Sequence, residues 1–294
     1  KIFEEFAYYL IAIARKDRAN DDFQIKGQVY AFDSTTIDLC LSVFWWAKFR
    51  KHKGGIKLHT LFDVNTQIPA FVHITPASVN DINALDVLIY EPGSYYILDR
   101  GYVDYTRLYK IARHSATFLV RAKSYLRFNR MYSRKCDKST GIKSDQIGRL
   151  SGFYASKQYP EKIRRVKFYD EETNKTFVFL TNNLDITSEQ VANLYKSRWQ
   201  VELFFKWIKQ HLKIKAFWGT SENAVRIQVY SALIAYCLVA IIGSKLKIDR
   251  STYEILQVLG ISLLDKTPVK ELLTNMDYKE VKEQVGNQLK LNLF

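Results

Sequence analysis

The run LYKSRWQVELFFKWIKQHL sets Tyr195, Arg198, Glu202 and Lys209 in the spacing Y-x2-R-x3-E-x6-K. If one helix carries all four, a turn of about 100° per residue puts Arg198, Glu202 and Lys209 at roughly 300°, 340° and 320° from Tyr195. They then share a stripe about 60° wide. One carboxylate among two cations and a phenol makes a poor core face, but it suits a surface that holds a metal ion beside a phosphodiester. Two further acids stand at short apolar runs. Asp33 lies in QVYAFDSTTIDL, where β-branched and aromatic residues favour a strand. Asp99 closes the strand-like run in SYYILDRGY, and Gly101 just after it lets the backbone turn away. Each has an ordinary alternative: an aspartate before Ser-Thr or Arg-Gly also serves as a turn or cap residue, and Glu202 could pair with Lys206 four residues on.

Taken together and in this order, Asp33-Ser34-Thr35, Asp99-Arg100-Gly101-Tyr102 and the Y-R-E-K run resemble the motifs of the insertion-sequence family four transposases, which use an Asp-Asp-Glu triad. The resemblance runs from about Lys1 to the final NQLKLNLF. It implies that Asp33, Asp99 and Glu202 are both the catalytic residues and the metal ligands. Asp33 would bridge two Mg²⁺ ions, for which Mn²⁺ can substitute, and Asp99 and Glu202 would each hold one. Glu202 would also accept the proton of the attacking water. A pair of such ions about 3.5–4 Å apart activates the attacking oxygen and stabilises the leaving one. Tyr195, Arg198 and Lys209 would contact phosphate near the cut; Lys57 and His59, alternate residues that share one face of the second strand, read as further phosphate contacts, as does Arg100. The implied partner is double-stranded DNA, as transposon ends and as target, bound by a homodimer on paired ends. The implied location is cytoplasmic and nucleoid-associated, with no membrane. Two other readings compete: a ribonuclease-H-like nuclease that cuts without strand transfer, and a catalytically decayed DNA-binding protein. The intact triad argues against decay, and the Y-R-E-K run against a simple nuclease.

The elements that must position these residues follow from the pattern. Residues 28–41, 56–64 and 68–77 read as three strands with short turns, an antiparallel meander, and the basic KFRKHKGG lies in its first turn. NDINALDVLIY has helical spacing and an Asn80-Asp81 cap, and reads as the crossover helix to a fourth strand at residues 95–98. A right-handed crossover lays that strand parallel to the first, which brings Asp33 and Asp99 onto neighbouring strands. YTRLYKIARH as a helix and ATFLVRAK as a fifth strand follow. The expected fold is α/β: a ribonuclease-H-like mixed five-stranded sheet with flanking helices, interrupted by a mostly β insertion before the Glu202 helix. The expected boundaries are 1–24 for a helical remnant of the N-terminal region, 25–117 and 181–247 for the core, 118–180 for the insertion, and 248–294 for a helical tail. Opening on Lys1 inside an amphipathic helix, the chain reads as a fragment, and the resemblance implies a helical DNA-binding module before it.

Composition agrees. The 294 residues carry 44 Lys/Arg against 30 Asp/Glu, a net charge of +14 that points to a polyanion. Residues 118–180 hold fifteen basic and six acidic residues, an excess of nine. Three scattered cysteines imply no disulfide framework, and the five histidines show no zinc spacing; a reducing cytoplasm fits best. The longest uncharged run, residues 227–243, contains Gln228, Tyr230, Ser231 and Tyr236 and reads as a core helix rather than a membrane span. Relatives that form DNA hairpins stack a flipped base on a tryptophan. The insertion has none, leaving Phe153, Tyr154 or Tyr159 to stack. Trp199 is open between stacking and packing, Lys53 reads as a solvated hairpin residue, and His73 as packed in the core.

Overall fold

The computed structural model describes residues 1–18, 25–40, 42–50, 53–211, 217–250, 252–262 and 266–275. It falls into two compact units, residues 20–205, and residues 1–19 together with 206–294.

The larger unit is built on one sheet. β1 (Val29–Leu39) and β3 (Lys53–Asp63) pair antiparallel, and β4 (Ile68–Pro76) and the short β2 (Lys48–Arg50) take the other edge of β3. This is the expected meander. Residues 51 and 52 of its basic turn lie outside the described residues, as does the side chain of Lys53. β5 (Tyr95–Leu98) runs parallel to β1 with Phe32 opposite Leu98, so the next residues are Asp33, still within β1, and Asp99, just past the end of β5, at adjoining positions. β6 (Thr117–Arg121) pairs parallel with β5.

The crossover differs from expectation. Asn80 does cap it, accepting from the Ile82 N–H, but Asp81–Val87 winds as a 3₁₀ helix rather than an α-helix. Three of those seven residues are Asp or Asn, weak α-helix formers, and Arg107 grips Asp86 through two bonds of 2.9 and 2.6 Å. Gly101 lies in a 3₁₀ turn, Arg100–Tyr102, with negative φ and open space where a Cβ would stand, so that exit does not require glycine.

Beyond β6 the sheet continues. β10 (Lys175–Thr181) pairs antiparallel with β6, followed outward by β9 (Ile163–Asp170), β8 (Ile142–Leu150) and β7 (Phe128–Arg134). The result is a mixed α/β fold in which, among the described residues, ten strands share one sheet, where five strands interrupted by a mostly β insertion were expected. The inserted stretch also contains a helix. α2 (Tyr105–Arg113) precedes β6, and α3 (Phe153–Gln158) lies between β8 and β9. On one face Phe32, Leu85, Tyr96, Leu98, Leu108 and Phe118 form a buried apolar cluster.

α4 (Ser188–Ser197) starts at a capping box between Thr187 and Gln190. α5 (Trp199–His211) follows, so the expected single helix is two helices that meet at Arg198. Phe62 and Phe204 pack with ring centroids 5.3 Å apart, and Phe179 packs on Tyr195 at 4.5 Å, fixing both helices to the sheet.

In the smaller unit, α1 (Ile2–Asp17) buries Ala7, Leu10, Ile11 and Ala14, a helical stripe, and packs on α6 (Glu222–Lys245), where the Tyr230 hydroxyl donates to Glu4 at 2.7 Å. α6 is long and apolar enough to cross a membrane by composition alone. Its Val229, Leu233, Tyr236, Cys237 and Ala240 are buried within the unit, matching the core-helix reading. α7 (Thr252–Ser262) and α8 (Val269–Asn275) complete it; the terminal NQLKLNLF lies outside the described residues.

Candidate active site

Asp33 and Asp99 stand at adjoining strand positions because β1 and β5 are parallel and in register up to Phe32 and Leu98. The helices across that end of the sheet bring in the rest. Arg198 Nη1 donates to Asp33 Oδ2 at 2.8 Å and its Nη2 donates to Glu202 Oε1, so one planar guanidinium bridges two carboxylates 169 residues apart. The Tyr195 hydroxyl donates to Asp99 Oδ1 at 3.2 Å. Tyr195, Arg198 and Glu202 therefore meet at one place although they do not share one helix. Arg198 sits at the junction of α4 and α5, where its N–H still donates to the Tyr195 carbonyl.

The electrostatics follow from burial. Asp33 is pushed up to about 6 by desolvation, and the neighbouring carboxylates of Glu202 and Asp99 push the same way; the Ser34 N–H and Arg198 offset this only in part. Burial also raises the Tyr195 phenol, with the Asp99 charge adding to it, so it stays protonated and donates. Burial alone would lower Arg198, but Glu202, Tyr195 and Asp33 outweigh it and fix the guanidinium charge.

Among the described residues, no three acidic, histidine or cysteine side chains converge closely enough to hold an ion directly. Arg198 and Tyr195 are interposed instead. The donor set nonetheless suits a hard divalent cation. It is all carboxylate oxygen, and the Asp33 charge, destabilised first by desolvation and then by its acidic neighbours, is one that a cation relieves. The guanidinium supplies that positive charge in this arrangement.

Other expected site residues fall differently. Arg100 is exposed beside Asp99. Trp199 is 57% exposed, which removes the core-packing option. It lines a cavity of about 270 Å³ with Asp99, Arg121, Phe177, Tyr195 and Arg198. Lys57 is engaged: its ammonium donates to the Val79 carbonyl at 2.7 Å and pairs with Asp81 at 3.1 Å. His59 is fully buried, bonded to Thr75 at 2.9 Å, and held neutral by desolvation that lowers it to about 4. It has no path to a phosphate, a correction to the strand-face reading. His73 is half-buried rather than wholly in the core and stacks on Phe71. Tyr159 is buried against Phe118 and Tyr109, so it cannot stack a base, whereas Phe153 and Tyr154 are exposed on α3. Lys209 is half-buried on α5, in the smaller unit.

Sequence reasoning missed Ser34, Asp81 and Tyr102. Ser34 Oγ donates to Asp81 Oδ1 at 2.7 Å, behind the strand that carries Asp33, and the Tyr102 phenol is buried beside Ser34 with its pKa pushed up by desolvation. Asp81 was legible only as a helix cap.

Carboxylates presented by two parallel strands and a helix, with a guanidinium and a phenol between them, bring together on an α/β sheet the donor types that suit hard cations and phosphate. Residues 24–238 match the family model described as the transposase DDE domain. The chain belongs to that family. A Sinorhizobium fredii protein named as a transposase is 37% identical over 231 residues, 76% of this chain and 63% of the relative. A Geobacillus stearothermophilus protein named as the transposase of insertion sequence element IS5377 is 30% identical over 70% of this chain and 54% of its own length. A Synechocystis protein, named as a transposase for insertion sequence element IS4SA, is 22% identical over 73% of this chain and 60% of its own. The chain thus spans between 54% and 63% of the length of these relatives.

Proposed function

We propose that the chain is the catalytic part of an insertion-sequence transposase, cutting DNA at transposon ends and joining them to target DNA, on a ribonuclease-H-like fold. The supporting observation is that Arg198 bonds Asp33 and Glu202 at once while Tyr195 bonds Asp99, tying three acids from distant motifs into one cluster. The strand order β4-β3-β1-β5-β6, with β1, β5 and β6 parallel, supports the fold reading.

Asp33, Asp99 and Glu202 would hold two Mg²⁺ ions, or Mn²⁺ in their place. When bound, such ions activate the attacking oxygen and stabilise the leaving one. The chain's own residues do the rest. Arg198 exchanges its carboxylate partners for a phosphate, which its fork grips bidentately. Tyr195, protonated, donates to a phosphate oxygen, and Glu202 takes the proton of the attacking water. Lys209 and Arg100 add phosphate contacts, and the exposed Trp199 offers a face for a base. Lys57 serves Asp81 and its loop instead of DNA. Residues 118–180 supply a basic surface to core segments 25–117 and 181–247, flanked by 1–24 and 248–294. The working state would be a homodimer on paired ends, in the cytoplasm at the nucleoid.

The test is to incubate the protein with pre-cleaved ends of its element, target DNA and Mg²⁺. Joined product is the expected outcome. Nicking without joining would make it a nuclease, and a metal-independent mobility shift alone would make it a binder.

A further inference from the structure

The insertion carries a buried charge cluster that the chemistry above does not use. Arg164 on β9 is 0% exposed and Asp145 on β8 is 2% exposed. They form a two-pronged pair, Arg164 Nε donating to Asp145 Oδ1 at 2.9 Å and Nη2 to Oδ2 at 2.7 Å. A guanidinium fully removed from water carries a heavy desolvation cost, which one carboxylate offsets only in part. The remaining donors explain its placement. Arg164 Nη1 donates to the Ile186 carbonyl at 2.6 Å and reaches the Asn183 carbonyl at 3.5 Å. Arg134, on β7, lies 3.8 Å from the same Asp145 and donates to the Leu184 carbonyl.

Three backbone carbonyls within four residues are therefore held by two arginines from the outer strands, and all belong to the link between β10 and α4. The next residue, Thr187, opens the capping box of α4. The link is anchored on its other side as well: Asn183 Oδ1 accepts from the Asp185 and Ile186 N–H groups, and its amide donates to the Tyr95 hydroxyl at 3.3 Å. The far end of α4 is held by Tyr195, which bonds Asp99 and packs on Phe179, by Arg198 just beyond it, by the buried Val191 and Leu194, and by an exposed Lys196–Glu172 pair. A ten-residue helix is a stiff rod, so where its first turn is fixed decides where its last turn lies.

We propose that Arg164, held by Asp145 and assisted by Arg134, is a positioning residue: it fixes the start of α4 so that Tyr195, Arg198 and Glu202 meet Asp99 and Asp33. The inserted strands then act as the bracket of the helices that carry Tyr195, Arg198 and Glu202, besides any contact with DNA. This deepens the transposase reading and rests on it for its consequence in catalysis.

Arg164→Lys is the discriminating variant. Lysine keeps a charge for Asp145 but cannot also span to the Ile186 carbonyl. Amide hydrogen exchange of the intact chain, which needs no activity, should show the first turn of α4 and residues 198–202 exchanging about tenfold faster or more, with β1 and β5 unchanged. Single-turnover cleavage should fall about 100-fold, since a displacement near 1 Å suffices for that, while DNA affinity stays within about threefold. If Arg164→Lys does not fold, the double variant Arg164→Met/Asp145→Leu removes both charges and keeps the volume, and the same exchange pattern is expected of it. Wild-type exchange across residues 188–202 in the folding variant would overturn the proposal, as would wild-type cleavage. A wild-type chain that cuts no DNA would instead count against the transposase reading, and exchange would still decide the bracket.

Discussion

Arg198 divides one guanidinium between Asp33 and Glu202, and a lysine has no second fork to give. Arg198→Lys should therefore lower single-turnover cleavage by about tenfold or more while DNA binding changes little, because an in-line displacement is sensitive to small misplacement. Equal rates in the two proteins would reduce Arg198 to diffuse charge. Two buried groups also make stability depend on pH in opposite senses. Asp33 rises from 3.8 to about 6, so its contribution is present at low pH and lost as pH climbs through about 6. His59 falls from 6.5 to about 4, so its contribution is present above 6.5 and lost as pH drops toward 4. Each amounts to about 3 kcal/mol at full extent, and they cancel through most of that window. In chelator, the urea midpoint of the wild type should stay nearly level between pH 4 and 6.5, whereas Asp33→Asn should lose stability steadily toward acid. Parallel curves for the two proteins would contradict the Asp33 shift. Adding Mg²⁺ should raise the midpoint of the wild type above pH 6 and leave that of Asp33→Asn unmoved. At this scale the sequence spoke clearly about residue types: both aspartates sat at strand-like runs. It could not speak about depth, since alternation along β3 gives the face that His59 occupies but not that β4 and Asp81 close over it.

The elements show where pattern stops short. Residues 188–211 read from periodicity as one helical run; the break falls at Arg198, next to Ser197 whose hydroxyl donates to the Leu194 carbonyl at 2.7 Å, and the Arg198 side chain reaches a strand 165 residues earlier, a contact that no local pattern shows. The parallel pairing of β1 and β5 followed from handedness, whereas the partner of β10 did not, because strand periodicity identifies a strand and not its neighbour. That pairing changes what a deletion would do. Residues 118–180 read from sequence as an insertion into the core, yet they contain most of β6 and β10, which pair with each other, and the arginines that hold the link to α4. Deleting 118–180 should yield protein with no cooperative melting transition and little soluble expression, as monitored by circular dichroism. A soluble remnant with a sharp transition would show that the inner strands fold without the outer ones.

On the scale of the whole chain, the net charge of +14 sets how it meets DNA, and nine of that excess falls within residues 118–180. Not all of those cations are available. Arg164 is buried in its pair, Arg134 is engaged with the link to α4, and Arg165 bonds Gln146 and lies over the Phe128 ring at 4.6 Å. Lys143, Lys162 and Lys167 are exposed and are not among the bonded partners of Arg164, Asp145 or Arg134, Lys143 lying over the Tyr169 ring at 5.0 Å. Neutralising these three to glutamine removes charge without touching the bracket, which separates electrostatic attraction from positioning. Every phosphate that such a change leaves without its cation should lessen the dependence of log affinity on log salt by about 0.9. The triple variant should therefore bind duplex DNA more weakly at low salt, with a shallower slope, by up to about 2.7 if all three touch phosphate. Its cleavage rate at saturating protein should be unchanged, in contrast to Arg164→Lys, because Arg198 and Tyr195 keep their places. A slope equal to that of the wild type would move the phosphate track off the outer strands, and the basic residues around β2 would be the next to neutralise.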